Sequence, residues 1–152
     1  MNKEDKELVL QDLCARLPYG VKAYVKNWSK LDRKYYEDIY DVKSVFPSLN
    51  EVHVQSKSGS LDVLLGYYDY YIKPYLFPLS SMTEEQKLEI KCLCDGTEIF
   101  DDGGWMSYIS ILGSFNFEIN LAVVDWYNKN HFDYRGLIPK GLAFDATGLY
   151  IY

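Results

Sequence analysis

In GVKAYVKNW, residues 20–28, Val21, Ala23 and Val25 alternate with Lys22, Tyr24 and Lys26. A period of two belongs to a strand with one buried and one open face. EVHVQS repeats the pattern, with Val52 and Val54 opposed to His53 and Gln55. IYDVKSVF places Val42 and Val45 before a break at Pro47, KSGS reads as a turn, and LDVLLGYYDYYIKPYLFPL supplies one or two further strands. Several short strands with tight turns predict a small antiparallel sheet or half-open, SH3-like barrel over about residues 20–78.

The period then changes. Thr83 followed by Gln86 is a capping box, and Glu84 and Glu85 suit the positive end of a helix dipole. The helix it opens has Leu88 and Cys92, with Ile90 or Leu93, as its apolar stripe, and Gly96 at the stop. FEINLAVVDWYNKN predicts a last helix with Phe117, Leu121, Val124 and Asn128 along one side. Near the N-terminus, Leu10, Leu13, Cys14 and Leu17 follow helical spacing over about residues 5–17, before Pro18 and Gly20. Asp101-Asp102-Gly103-Gly104 is a turn, and WMSYISIL fits either a short helix or a strand. The class is therefore α+β, a single domain over 1–152. Residues 1–80 form a helix and a β-rich half, and 81–152 a helical half with an irregular C-terminal tail.

Charge and cysteines narrow the function. A net charge of −6 disfavours nonspecific binding to nucleic acid. From Arg16 to Lys43 there are seven basic and four acidic residues, against three and eight from Asp95 onward, so the first half could carry a basic face or simply a solvated one. The charged opening MNKEDKELVLQDL lacks the apolar region of a signal peptide, and no run approaches the about 18 apolar residues of a membrane helix. Cys14, Cys92 and Cys94 are odd in number, and C-x-C lacks a second ligand pair for zinc. The expectation is a reduced, cytosolic protein, with no membrane partner, metal or cofactor.

Catalytic signatures are weak. His131 with Asp133 or Asp125 could form a base and its orienting partner, but Ser80, Ser81 and Cys14 stand outside any G-x-S-x-G elbow. Neither DDGGW nor RGLIPKG leads from a strand into a helix as a phosphate loop does. No catalytic residue is assigned. HFDYRGLIPKGLAFDA reads instead as a clasp: His131 caps the last helix, Asp133 and Arg135 pair with each other or with backbone carbonyls, and Gly136 permits a turn. Leu137, Ile138, Leu142 and Phe144 pin the chain to the core.

Fifteen tyrosines are the unusual count. GYYDYYIKPY puts Tyr68, Tyr70 and Ile72 on one face of a strand and Tyr67, Tyr71 and Lys73 on the other. Aromatic residues fill sheets well, yet a rigid ring with a polar tip also suits partner surfaces and base stacking. The ligand-binding candidates are Tyr67, Tyr68, Tyr70, Tyr71 and Lys73, joined by Arg135 and Lys140 as phosphate partners.

Three blocks, DLCARLPYGVK (12–22), IKPYLFPLSSMTEEQK (72–87) and DWYNKNHFDYRGLIPKGLA (125–143), cover about a third of the chain. In them the sequence resembles a family of short proteins of gut anaerobic bacteria and their phages or mobile elements. Members commonly end in APEGMY-like residues, from which DATGLYIY departs. The resemblance carries no activity or catalytic residue over to this chain. It implies an accessory factor acting by binding: a sponge that sequesters a nucleotide-type immune signal of the host, with an oligomer of identical chains as one way to build its pocket. The alternatives are an inhibitor that binds a host defence protein directly, and a small hydrolase using His131 and Asp133.

Overall fold

The computed structural model describes residues 1–29, 33–57, 59–65, 71–93 and 117–152. Tyr67, Tyr68 and Tyr70, Gly96, the turn at 101–104 and WMSYISIL lie outside them. Chain order runs α1 (Lys3–Arg16), β1 (Lys22–Ser29), β2 (Lys34–Phe46), β3 (Glu51–Ser56), β4 (Gly59–Leu64), β5 (Tyr71–Leu76), α2 (Glu84–Leu93), α3 (Phe117–Lys129) and β6 (Phe144–Asp145). Among the described residues no helix is long and apolar enough to cross a membrane.

The strands form one sheet in the order β4-β3-β2-β1-β5-β6. The first five pair antiparallel, whereas β6 lies parallel to β5, with Tyr75 opposite Phe144. The α+β class with a helical second half holds, and the sheet is an open, mixed one, because the tail returns to it. In β2 a register shift between Val42 and Ser44 lets Val42 face Val54 and Val45 face Val52. A bulge thus keeps two valines three apart on the same side.

The inner sheet face carries Ala23, Val25, Val52, Val54, Ile72 and Leu76, all buried beneath α1. Asn2 opens α1 by accepting the Asp5 N–H at 2.7 Å. The buried positions of α1 are Val9, Leu10, Asp12, Leu13 and Arg16. Cys14 and Leu17, taken from the spacing as core, are only partly buried. The helix is rotated toward Val9 because Asp12 and Arg16 find partners inside.

A second apolar cluster joins Met82, Ile90, Val123, Tyr127, Phe132 and Tyr134. The capping box forms: Thr83 N–H donates to Gln86 Oε1 at 2.9 Å and Gln86 N–H to Thr83 Oγ1 at 3.3 Å. The expected stripe of α2 does not. Ile90 is its only buried residue, while Leu88 is 60% exposed and Cys92 is exposed. In α3 the side chains are described from Leu121 on, so Phe117 lies outside them; there the buried residues are Val123, Tyr127 and Asn128, and Leu121 points outward. Both helices turn the face that fits the other, and apolar residues spread around a short helix do not specify that phase.

Candidate functional site

The outer face of the sheet collects aromatic rings and lysines. Alternation along β5 sends Tyr71, Lys73 and Tyr75 outward, since Ile72, Pro74 and Leu76 are buried on the inner side. Register then sets Lys73 beside Tyr24 and Tyr71 beside Lys26. Lys73 Nζ sits 4.8 Å from the Tyr71 ring centroid and 4.9 Å from that of Phe144. Tyr24 meets both rings edge-on, at 6.2 and 5.3 Å. Phe144, expected from the sequence to pin the tail to the core, is therefore part of this outer face and 37% exposed.

Most lysines of this face are neutralised. Lys26 pairs with Glu37 at 2.6 Å, and Lys22 and Lys43 share Asp41 at 2.5 and 3.4 Å. Hydrogen bonds from Lys26 and then Tyr24 hold the Glu37 carboxyl below its usual range. Burial and, after it, the bond to Glu37 push the Tyr24 phenol up to about 12. Among the described residues Lys73 has no carboxylate partner, and its partial burial lowers its ammonium pKa. Of the basic run from Arg16 to Lys43, Lys22, Lys26 and Lys43 are thus held in ion pairs on the sheet.

The clasp lies elsewhere. His131 N–H donates to the Asn128 carbonyl at 3.2 Å and Phe132 N–H to the Tyr127 carbonyl at 3.0 Å. With His131 at φ 58° this is a Schellman ending, and Phe132 stacks on Trp126 at 5.6 Å as its apolar contact. The His131 ring stacks on Tyr152 at 3.8 Å and hydrogen-bonds the Tyr19 carbonyl, and its Nδ1 has no partner among the described residues. Burial first, and then the Arg16 charge, lower its pKa to about 4, so the ring is neutral at pH 7. The Asp133 carboxylate accepts the N–H groups of Leu137 and Ile138, both at 2.8 Å. Gly136, at φ 70°, makes the intervening turn, Leu137 is fully buried, and Ile138 packs on the same core.

His131 and Asp133 share no hydrogen bond, because the carboxylate is taken by two backbone N–H groups while the ring faces Tyr152 and the Tyr19 carbonyl. Asp133 and Arg135 do not pair either. Arg135 Nη1 reaches Asp12 at 2.9 Å, and the other oxygen of Asp12 takes Arg16 Nε at 2.8 Å. Arg16 Nη1 and Nη2 donate to the Tyr127 and Phe132 carbonyls at 3.2 and 2.8 Å, closing the end of α3. Asp12 and Arg16, both 0% exposed, are the residues sequence reasoning missed. The available signal was an Asp–Arg pair at i, i+4, in phase with Val9 and Leu13.

The ligand candidates are therefore dispersed. Tyr71 and Lys73 share the outer face. Arg135 lies on the α1 side, at a cleft of about 1010 Å³ beside α1 and the turn before β3. Lys140 is exposed on a turn and lines neither this cleft nor a second one of about 630 Å³ around His131 and Tyr152. Among the described residues no three His, Cys, Asp or Glu side chains converge for a metal, and the second histidine, His53, pairs with Asp62 at 2.6 Å. Comparison with protein-family models, curated proteins and solved structures returns no match, so the reading of these surfaces stands on their geometry.

Proposed function

We propose that this chain is a noncatalytic binding protein, borne by a phage or mobile element, that sequesters a nucleotide-type immune signal of the host on its outer sheet face. One observation carries the reading: the Lys73 ammonium is flanked by Tyr71 and Phe144 and opposed by no carboxylate among the described residues. A ring laid on Tyr71, which is 42% exposed, would bring an attached phosphate to Lys73. Stacking of one base on an aromatic ring contributes roughly 1–3 kcal/mol, and the charge-assisted phosphate contact adds to it. Arg135 has no part in this site. Tyr35 and Ile39, exposed on the same outer face along β2, favour, as a second reading, a host defence protein as the partner.

A melting-temperature screen against cyclic and linear nucleotides tests the reading, with mass spectrometry of what heating releases. The expected result is a shift with one nucleotide, recovered intact, and affinity weakened about tenfold or more by Lys73→Ala. Silence across the panel at millimolar concentration would sink it and turn attention to a protein partner. Release of an altered nucleotide would mean turnover rather than capture.

A further inference from the structure

Asp12 is one carboxylate bonded to two guanidiniums, so the network holds one surplus positive charge. It does not reside at Arg16, which is fully buried and closed by two carbonyls. It emerges at Arg135, whose side chain is 22% exposed and leans on the Tyr134 ring, 4.6 Å from its centroid. Among the described residues, Asp12 is its only hydrogen-bond partner. Arg135 borders the cleft of about 1010 Å³ along α1. The floor next to it is apolar, with Leu10, Ala15 and Pro47, and no aromatic ring lines it for a base to stack on. Farther along α1, Lys3, 3.7 Å from Glu7, and Lys6 also line it, on the first turns of the helix rather than beside the apolar floor.

We infer that this cleft binds a small amphipathic oxyanion, with a carboxylate or phosphate head on Arg135 and a short apolar body over Leu10, Ala15 and Pro47. A guanidinium with free N–H groups is matched to a two-oxygen head, and a half-buried cation gains more from an anion than an exposed one does. The apolar floor favours a hydrocarbon body over water. The inference goes beyond the nucleotide reading and does not rest on it, because this site lies across the sheet from Lys73.

Cys14 lines the cleft, whereas Cys92 is exposed on α2, so thiol alkylation mapped by peptide mass spectrometry reports occupancy with an internal reference. Octanoate or octyl phosphate should slow alkylation of Cys14 several-fold and leave Cys92 unchanged, while inorganic phosphate, lacking the body, protects far less. Protection by one amphiphile alone identifies the head group, and protection by both supports the shared chemistry. Arg135→Gln should weaken it about tenfold or more. Gln11→Trp, which fills the cleft from an exposed position of α1, should abolish it and decides the matter should Arg135→Gln fail to fold. Lys73→Ala should leave the protection intact, separating this site from the nucleotide platform. The inference is overturned if neither amphiphile protects Cys14, if the two cleft variants bind like the wild type, or if inorganic phosphate protects as well as octyl phosphate.

Discussion

His131 joins backbone geometry, packing and charge at one residue. It occupies a left-handed position where glycine is usual, and what it adds there is a ring stacked on Tyr152 and bonded to Tyr19. Arg16 and Lys22 disfavour its cationic form and Asp12 favours it, but burial dominates and brings the pKa from 6.5 to about 4. The unfolded chain therefore takes up a proton in a range where the folded chain does not. The stability held by neutral His131 is complete above about pH 6.5 and declines as the pH falls toward about 4. Urea denaturation at pH 7.5 and 5 should show this loss. His131→Asn, whose side chain tolerates a left-handed backbone, should flatten the dependence in that window. An unchanged slope in the variant would assign the loss to other groups. Glu37 and Asp41, whose carboxyls are held low, add their own losses only at more acid pH, with the sign of paired carboxylates.

At the scale of elements, helix ends are legible from short range and helix faces are not. The box at Thr83 and Gln86 is written in four consecutive residues and forms as written. The face of α2 is set by α3: Ile90 meets the cluster of Val123 and Tyr127, and Trp126 Nε1 donates to Glu89 at 2.9 Å. Two substitutions of similar volume should therefore differ sharply. Ile90→Ala should cost about 2–5 kcal/mol by leaving a cavity. Leu88→Ala, at a surface position, should stay within about 0.5 kcal/mol. Chemical denaturation of both variants measures this, and equal losses would place the buried face of α2 elsewhere.

In the whole molecule, the tail ties the two apolar clusters to one sheet. Phe77 and Phe132 bridge in parallel, Ala146 N–H donates to the Leu76 carbonyl at 2.8 Å, and Tyr152 Oη donates to the Tyr75 carbonyl at 2.6 Å while accepting the Lys22 N–H at 3.3 Å. Tyr152→Phe keeps the ring and removes both bonds, so stability should fall by about 1 kcal/mol. Amide exchange should quicken at Lys22 and Ala146 and not between β2 and β3. Uniform exchange across the sheet would mean that the tail is no separate tie. Strand positions, the strand faces, the capping box and the helical second half were legible in the sequence, because dihedral preference and side-chain period act over a few residues. Half of the candidate site was legible in the same way: parity alone places Tyr71 with Lys73. Its other members, Tyr24 and Phe144, arrive through strand register and the returning tail. The destinations of Asp12, Arg16 and Arg135 were decided only in the tertiary structure, where Arg135 and Asp12 meet across 123 residues and Arg16 reaches Tyr127 across 111. A charge states that it needs a partner, but only packing determines which distant group is near enough to serve.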